Sequence, residues 1–236
     1  MTRRNRIVIP GCAYHVTQRG NRMATVFRDD EDRGHYLQLL REQSSLCKLW
    51  IWAYTLMSNH IHAIAVPQTD SALSDTFRNI HSTYGNWFNK KYELSGHLWQ
   101  GRFYSCVLGE SHLWAAVRYV ERNPVRAGIV SRAEQYEWSS ARAHVSGEFD
   151  PLLNPELPLI EIVKDWAGWL SENEDESDIK AIRNATAKDL PLGSEDFTLQ
   201  LEMKLGRTLR PRKRGRKPRT SGKVEKQESP RLFEPD

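Results

Sequence analysis

The stretch Trp50-Ile51-Trp52-Ala53-Tyr54-Thr55-Leu56-Met57-Ser58-Asn59-His60-Ile61-His62-Ala63-Ile64-Ala65-Val66-Pro67 decides the fold class. Trp50 to Met57 is a continuous apolar, aromatic-rich run, the pattern of a buried strand. Ser58-Asn59 makes a short turn, His60 to Val66 forms a second strand, and Pro67 ends it. Side chains along a strand alternate faces with period two. His60 and His62 therefore share one face, while Ile61, Ala63 and Ala65 share the other and suit packing beneath a helix.

Upstream of this hairpin, residues 12 to 18 read as a strand. Asp29 or Asp30 can cap a helix carrying Tyr36, Leu39, Leu40 and Cys47 close to helical spacing. Downstream, Leu73, Phe77, Ile80, Tyr84 and Trp87/Phe88 mark an amphipathic helix within Ser71 to Lys91. Residues 103 to 108 form a fourth strand, and Ser111 can cap a helix with Leu113, Val117 and Val120 on its buried stripe. The order strand, helix, strand, strand, helix, strand, helix predicts an α+β, ferredoxin-like sandwich with an antiparallel sheet. Helices cover one sheet face, and the other is left for a further helix and a site. After Tyr136 the texture changes. Residues 171 to 178 hold five acidic residues and no basic one, which reads as a solvated loop. Residues 193 to 209 predict a short helix through Phe197, Leu201 and Leu205, and the chain after Arg210 reads as disordered.

With 39% hydrophobic residues and eight tryptophans among 236 residues, the chain can bury one core and carry an appendage. Its three cysteines, Cys12, Cys47 and Cys106, form no C-x-x-C pair. That argues against a zinc ribbon or a disulfide framework and fits a reducing cytoplasm. Pro10 and Gly11 break the apolar stretch behind the basic N-terminus, so no signal-peptide core is present. Trp50 to Met57 is too short to cross a bilayer. No Walker-type phosphate loop and no dinucleotide fingerprint occurs. The expected setting is the cytoplasm, near the nucleoid, with no membrane partner.

The positive charge is concentrated. Eight basic residues and no acidic one lie between Arg207 and Arg219, and without them the formal net charge of +4 becomes −4. Such an arm meets a polyanion or simply solubilises a terminus. The interleaved Pro211, Gly215 and Pro218 favour nucleic-acid contact.

Two imidazoles converging from one strand face can hold a divalent metal while leaving coordination positions open for a phosphate. The bland reading of the same motif is a pair of edge-strand residues. Tyr119 and Asn123 are neighbours, four apart on the helix expected over 111 to 123. At about 100° per residue the pair lies off the apolar stripe, and Pro124 ends the helix there. A phenol ionises near pH 10, so a tyrosine nucleophile needs stabilised charge on its electrophile, which a metal supplies. The alternative for Tyr119 is a half-buried helix tyrosine.

Together the two halves resemble the single-tyrosine HUH transposases, and most closely the REP-associated tyrosine transposases of bacteria. The resemblance rests on Met57-Ser58-Asn59-His60-Ile61-His62 and on Tyr119-Val120-Glu121-Arg122-Asn123-Pro124-Val125-Arg126-Ala127-Gly128. Tyr14-His15-Val16-Thr17-Gln18-Arg19-Gly20-Asn21, His97-Leu98-Trp99-Gln100-Gly101-Arg102-Phe103 and the basic tail are also similar to that family. It implies His60, His62 and Asn123 as ligands of Mg²⁺ or Mn²⁺, with Asn123 standing where related transposases carry glutamine. It implies Tyr119 as the nucleophile, a 5′-phosphotyrosine intermediate with a free 3′-OH, and single-stranded DNA bearing REP hairpins as partner. A monomer is implied, with a dimer as the alternative. The corresponding organisation is a catalytic domain over 1–150, a loosely structured extension over 151–209 and a disordered basic tail over 210–236.

Arg102 and Arg126, with Arg212, Lys213, Arg214, Arg216 and Lys217 of the tail, are the candidate DNA contacts. Trp99 can stack on bases or belong to the core, and His15 can support the site or simply pack. Tyr104 is a rival nucleophile without an amide partner, and His97 and His112 read as surface residues. A catalytically silent hairpin-binding protein and a metal-dependent single-strand endonuclease are the competing functions.

Overall fold

The structure, a computed structural model that describes Arg6 and residues 8–209, follows the element order read from the sequence. β1 (Tyr14–Arg19) leads to α1 (Asp30–Leu46), then β2 (Leu49–Met57), β3 (His60–Pro67), α2 (Ala72–Lys91), β4 (Tyr104–Val107) and α3 (Glu110–Glu121). The four strands form one antiparallel sheet in the order β2-β3-β1-β4, which is the ferredoxin-like arrangement. α1 starts where the sequence said it should. Asp29 accepts from the Asp32 N–H at 2.9 Å and Asp32 accepts from the Asp29 N–H at 3.4 Å, a reciprocal capping pair.

The period-two reading of the hairpin holds. Ile61, Ala63 and Ala65 join Tyr36, Leu40, Leu73, Phe77, Ile80 and Tyr84 in the core beneath α1 and α2. His60 and His62 face the other way, on the side where Ile64 and Val66 meet Leu113, Ala116, Val117 and Val120 of α3. A bulge between Ile51 and Ala53 inserts Trp52 into β2 and turns it into that second core.

α3 differs at both ends from the helix expected over 111 to 123. Gly109, not Ser111, is its N-cap, and it stops at Glu121. Asn123 instead opens a single turn, α4 (Asn123–Arg126), with Pro124 in the first turn, where a missing N–H costs nothing.

α5 (Ala141–Ser146) follows, and the chain beyond 150 carries α6 (Leu159–Ile162), α7 (Trp166–Ser171), α8 (Glu176–Lys188) and α9 (Glu195–Leu205). Of residues 171 to 178, read as a solvated loop, 172–175 form an exposed connection in which Glu174 alone is half-buried, while 176–178 open α8. Asp175 caps α8 by accepting from the Ser177 N–H at 2.7 Å, and Glu176 and Asp178 sit in its first turn. Acids there satisfy free N–H groups and complement the helix dipole. Ile179, Ile182 and Ala185 bury one face of α8 in the second core. Past its end, Asp189 accepts from the Ser105 N–H at 3.2 Å and the Leu192 N–H donates to the Val107 carbonyl at 2.9 Å, which fastens α8 to β4. The short helix expected over 193 to 209 is α9. Among the described residues no helix is long and apolar enough to cross a membrane. The basic tail residues Arg212, Lys213, Arg214, Arg216 and Lys217 lie outside the described residues.

Candidate active site

Three strands and three helices enclose a cavity of about 550 Å³ on the second sheet face. β1 contributes His15, Thr17 and Arg19, alternate residues of one strand face. β3 contributes His60 and His62, β4 contributes Tyr104, and Tyr119, Asn123, Arg183, Thr186 and Ala187 close the cavity from α3, α4 and α8. Gln100 completes the wall, which contains no carboxylate. The four site residues singled out from sequence are thus brought together.

The imidazoles are held from behind. His62 Nδ1 lies 2.8 Å from His15 Nε2, and His15 Nδ1 lies 2.8 Å from Thr186 Oγ1 on α8. The Thr186 hydroxyl also meets Cys106 Sγ at 3.2 Å. His60 Nδ1 is bonded to Asn59 Oδ1 at 2.5 Å. In both His60 and His62, Nε2 is the ring nitrogen not engaged in these bonds. Burial, the repulsion of His15 and His60, and the nearby Arg126 and Arg19 hold His62 well below the usual imidazole range. Burial first, then Arg19, lowers His60 to about 4, and burial alone lowers His15 to about 3. At neutral pH all three are neutral, the form that binds metals. Two neutral imidazoles with opposed nitrogens already bonded, beside an amide oxygen, are a donor set suited to a divalent ion. Among the described residues no group of three or more His, Cys, Asp or Glu side chains gathers into a metal cluster.

Tyr119 is only 5% exposed, although its position lies off the Leu113/Val117/Val120 stripe. Residues of β1, β3, α4 and α8 close around its ring. The rings of His15 and His62 stand edge-on to the phenol, each 5.5 Å away between centroids. The Arg126 guanidinium lies over the phenol ring at 4.4 Å and donates to the Tyr119 carbonyl at 2.8 Å. Asn123 Nδ2 donates to the same carbonyl at 3.1 Å, so the i, i+4 relation is a side-chain-to-backbone bond that leaves the amide oxygen for another partner. Arg183 Nε donates to the Tyr119 hydroxyl at 3.4 Å.

Arg126, read from sequence as a DNA contact, has its guanidinium engaged in the fold. It pairs with Glu174 at 3.0 Å as well as with Tyr119. Arg102 is exposed beside the 97–101 segment. That segment runs along the end of β1, with Trp99 bridging to Gly20 and Gln18 donating to the Gly101 carbonyl at 2.8 Å. Trp99 is a core residue that donates to the His81 carbonyl at 3.0 Å. Tyr104 lines the same cavity as Tyr119. His97 is exposed and His112 half-buried. Arg19, Arg183 and Thr186 were not read as site residues. The parity of His15, Thr17 and Arg19 could have revealed the first, and the Ile179/Ile182/Ala185 spacing the helix bearing the others.

The buried histidines make stability pH-dependent. His15 and His81 fall to about 3 and His60 to about 4, each through burial, while the unfolded chain protonates near 6.5. Their contribution is fully present above pH 6.5 and is lost as the pH falls toward 3, because the unfolded state then binds protons that the folded state refuses. His144 has the opposite sign. Burial opposes its charge, but Glu121 at 2.6 Å outweighs that and raises it, so it stabilises at low pH. Four lowered histidines, counting His62, outnumber one raised. The urea midpoint is expected to fall steadily from pH 7 to pH 4, and a flat or rising midpoint would contradict these protonation states.

Residues 8–123 match the family described as "Transposase IS200 like". No curated protein matched the sequence. Among solved structures, a REP-associated tyrosine transposase bound to a REP hairpin shares 21% identity. That alignment covers 66% of this chain and 93% of the other at a TM-score of 0.48. A crystal structure described as a transposase from Deinococcus radiodurans R1 shares 15% identity over 51% of this chain and 97% of that one, with a TM-score of 0.37. Over residues 8–123, just under half of its length, the chain is similar to the IS200-like transposase family.

Proposed function

We propose that this protein is a DNA strand transferase that cleaves and rejoins single-stranded DNA bearing REP-type hairpins through a tyrosine-linked intermediate. The observation that carries this reading is the meeting of a phenol, two neutral imidazoles and an amide in one cavity without carboxylates. Such a wall suits a phosphodiester, whose own charge a carboxylate would repel.

In this reading the Tyr119 oxygen bonds to the scissile phosphorus as the bond to the 3′ oxygen breaks. The phenol gives up its proton, the 3′ oxygen takes one up, and a 5′-phosphotyrosine and a free 3′-OH result. Attack of a 3′-OH on the phosphotyrosine reverses the step, so no nucleotide hydrolysis is required. His60 and His62 through Nε2, and Asn123 through its amide oxygen, would hold Mg²⁺ or Mn²⁺. When bound, such an ion supplies positive charge to the non-bridging phosphate oxygens. Because these ligands are neutral, they leave that charge undiminished. Arg126, stacked on the phenol and bonded to its backbone, serves to position Tyr119. Arg102 and the tail residues Arg212, Lys213, Arg214, Arg216 and Lys217 are left as the phosphate contacts that give affinity.

His15 and Thr186 complete the site in this reading. His62 donates Nδ1–H to His15, and His15 donates its own Nδ1–H to Thr186, which fixes the tautomer that presents His62 Nε2. Thr186→Val keeps the side-chain shape and removes the final acceptor. Its Mn²⁺ affinity, measured by calorimetry, is expected to drop about 10- to 100-fold, the usual effect of losing a group that orients a metal ligand. An unchanged affinity would remove Thr186 from the site.

The test is to incubate the protein with labelled single-stranded fragments of genomic DNA and Mg²⁺ or Mn²⁺, and to sequence any DNA that stays attached after denaturation. Attached fragments that end at the foot of imperfect hairpins are the expected result. Retained DNA without a covalent link would indicate a silent hairpin-binding protein, and cleavage without a link a nuclease.

A further inference from the structure

We propose that Arg183 is a further catalytic residue, gripping the phosphate that Tyr119 attacks and the phosphotyrosine that follows; this rests on Tyr119 being the nucleophile. The residue lies on α8, outside the 8–123 segment that matches the family, and its Nε is 3.4 Å from the Tyr119 hydroxyl.

Charge pairing separates Arg183 from the basic residues of α3 and α4 and the turn between them. Arg118 is paired with Glu172 at 2.8 Å, and Arg122 and Arg126 are paired with Glu174 at 3.4 and 3.0 Å. Among the described residues no carboxylate pairs with Arg183, which stands exposed on α8 at the cavity wall. The phenol ring is fixed without it, by the Arg126 guanidinium over one face and by the two bonds to its backbone carbonyl. The bond from Arg183 is thus not what holds the ring. It places a positive, planar donor at the one atom that becomes bonded to phosphorus. Once that bond forms, the non-bridging oxygens lie beside the phenolic oxygen, within reach of the remaining guanidinium N–H groups. Two parallel N–H···O bonds match that geometry. The donor gains most as negative charge builds on these oxygens, so its effect falls on the transition state. Arg183 stays protonated throughout and transfers nothing.

The experiment uses full-length protein and the oligonucleotide recovered from the wild type's own covalent adduct. Single-turnover cleavage, oligonucleotide binding and rejoining from the isolated adduct are measured for wild type, Arg183→Gln, Arg183→Lys and Tyr119→Phe. Removal of one preorganised donor from a developing oxyanion costs roughly 10²–10³ in rate. Arg183→Gln is therefore expected to cleave about 100-fold more slowly with binding changed less than about threefold. Rejoining should slow by the same factor, since a group acting on the transition state serves both directions. Arg183→Lys, which keeps charge but not the fork, should recover part of the loss, and this guards against a folding defect in the Gln variant. Wild-type cleavage by Arg183→Gln, with Tyr119→Phe silent, would overturn the role of Arg183 alone. A loss confined to binding would do the same. A covalent adduct on Tyr119→Phe would overturn the reading of the nucleophile and this inference with it.

Discussion

Tyr119→Phe is expected to fold, to bind divalent metal and single-stranded DNA as the wild type does, and to form no protein–DNA link. The substitution removes one oxygen whose protein partner is Arg183 Nε at 3.4 Å, a long bond at the edge of the hydrogen-bond range. The ring keeps its contacts with His15, His62 and Arg126. Stability should therefore change by no more than about 1 kcal/mol. Chemistry has no such tolerance, because loss of a covalent nucleophile costs roughly 10⁴-fold or more. The measurement is the DNA-linked band on a denaturing gel, with chemical denaturation run alongside. Tyr104→Phe is the necessary companion, since Tyr104 lines the same cavity. That variant is expected to keep the band. A normal band from Tyr119→Phe and none from Tyr104→Phe would transfer the role to Tyr104.

The second large effect concerns the metal. His60→Ala, and wild type in excess EDTA, are each expected to lose cleavage by about 10³-fold, the several kcal/mol of charge stabilisation that a metal ion contributes. Mg²⁺ or Mn²⁺ should restore the EDTA-treated wild type but not the variant. Hairpin binding should persist in both, because phosphate contacts elsewhere provide affinity. His62→Ala should be equally inactive but is a harsher test of folding. His62 is buried at 6% exposure and bonded to His15, so its removal strands a buried ring nitrogen at a cost of about 1–3 kcal/mol. His60 sits nearer the opening, half-buried, and leaves behind only Asn59. Full activity of the wild type in excess EDTA would sink the metal role.

Much of the site was legible because it is encoded at short range. H-x-H on a strand places two imidazoles on one face whatever the fold does around them, and Tyr119 and Asn123 fall together because they are four apart. Other features were misjudged because they depend on residues distant in sequence. Tyr119 lies off the α3 stripe, yet it is buried among residues that include His15 and, more than fifty residues later, Arg183 of α8. The acids around Glu174 looked solvated, yet Glu174 neutralises Arg122 and Arg126. Composition reports the charges of a segment and not their partners.

The sheet, the two helices beneath it and the face on which the histidines lie are legible in the residues alone, because hydrophobic period and turn chemistry are local properties of the chain. What supports the site is set by contacts between residues far apart in the chain. His15 and Thr186 meet across 171 residues and Arg183 and Tyr119 across 64. These contacts exist because α8 buries Ile179 and Ile182 in the core it shares with α3, and no local pattern records where a helix will dock.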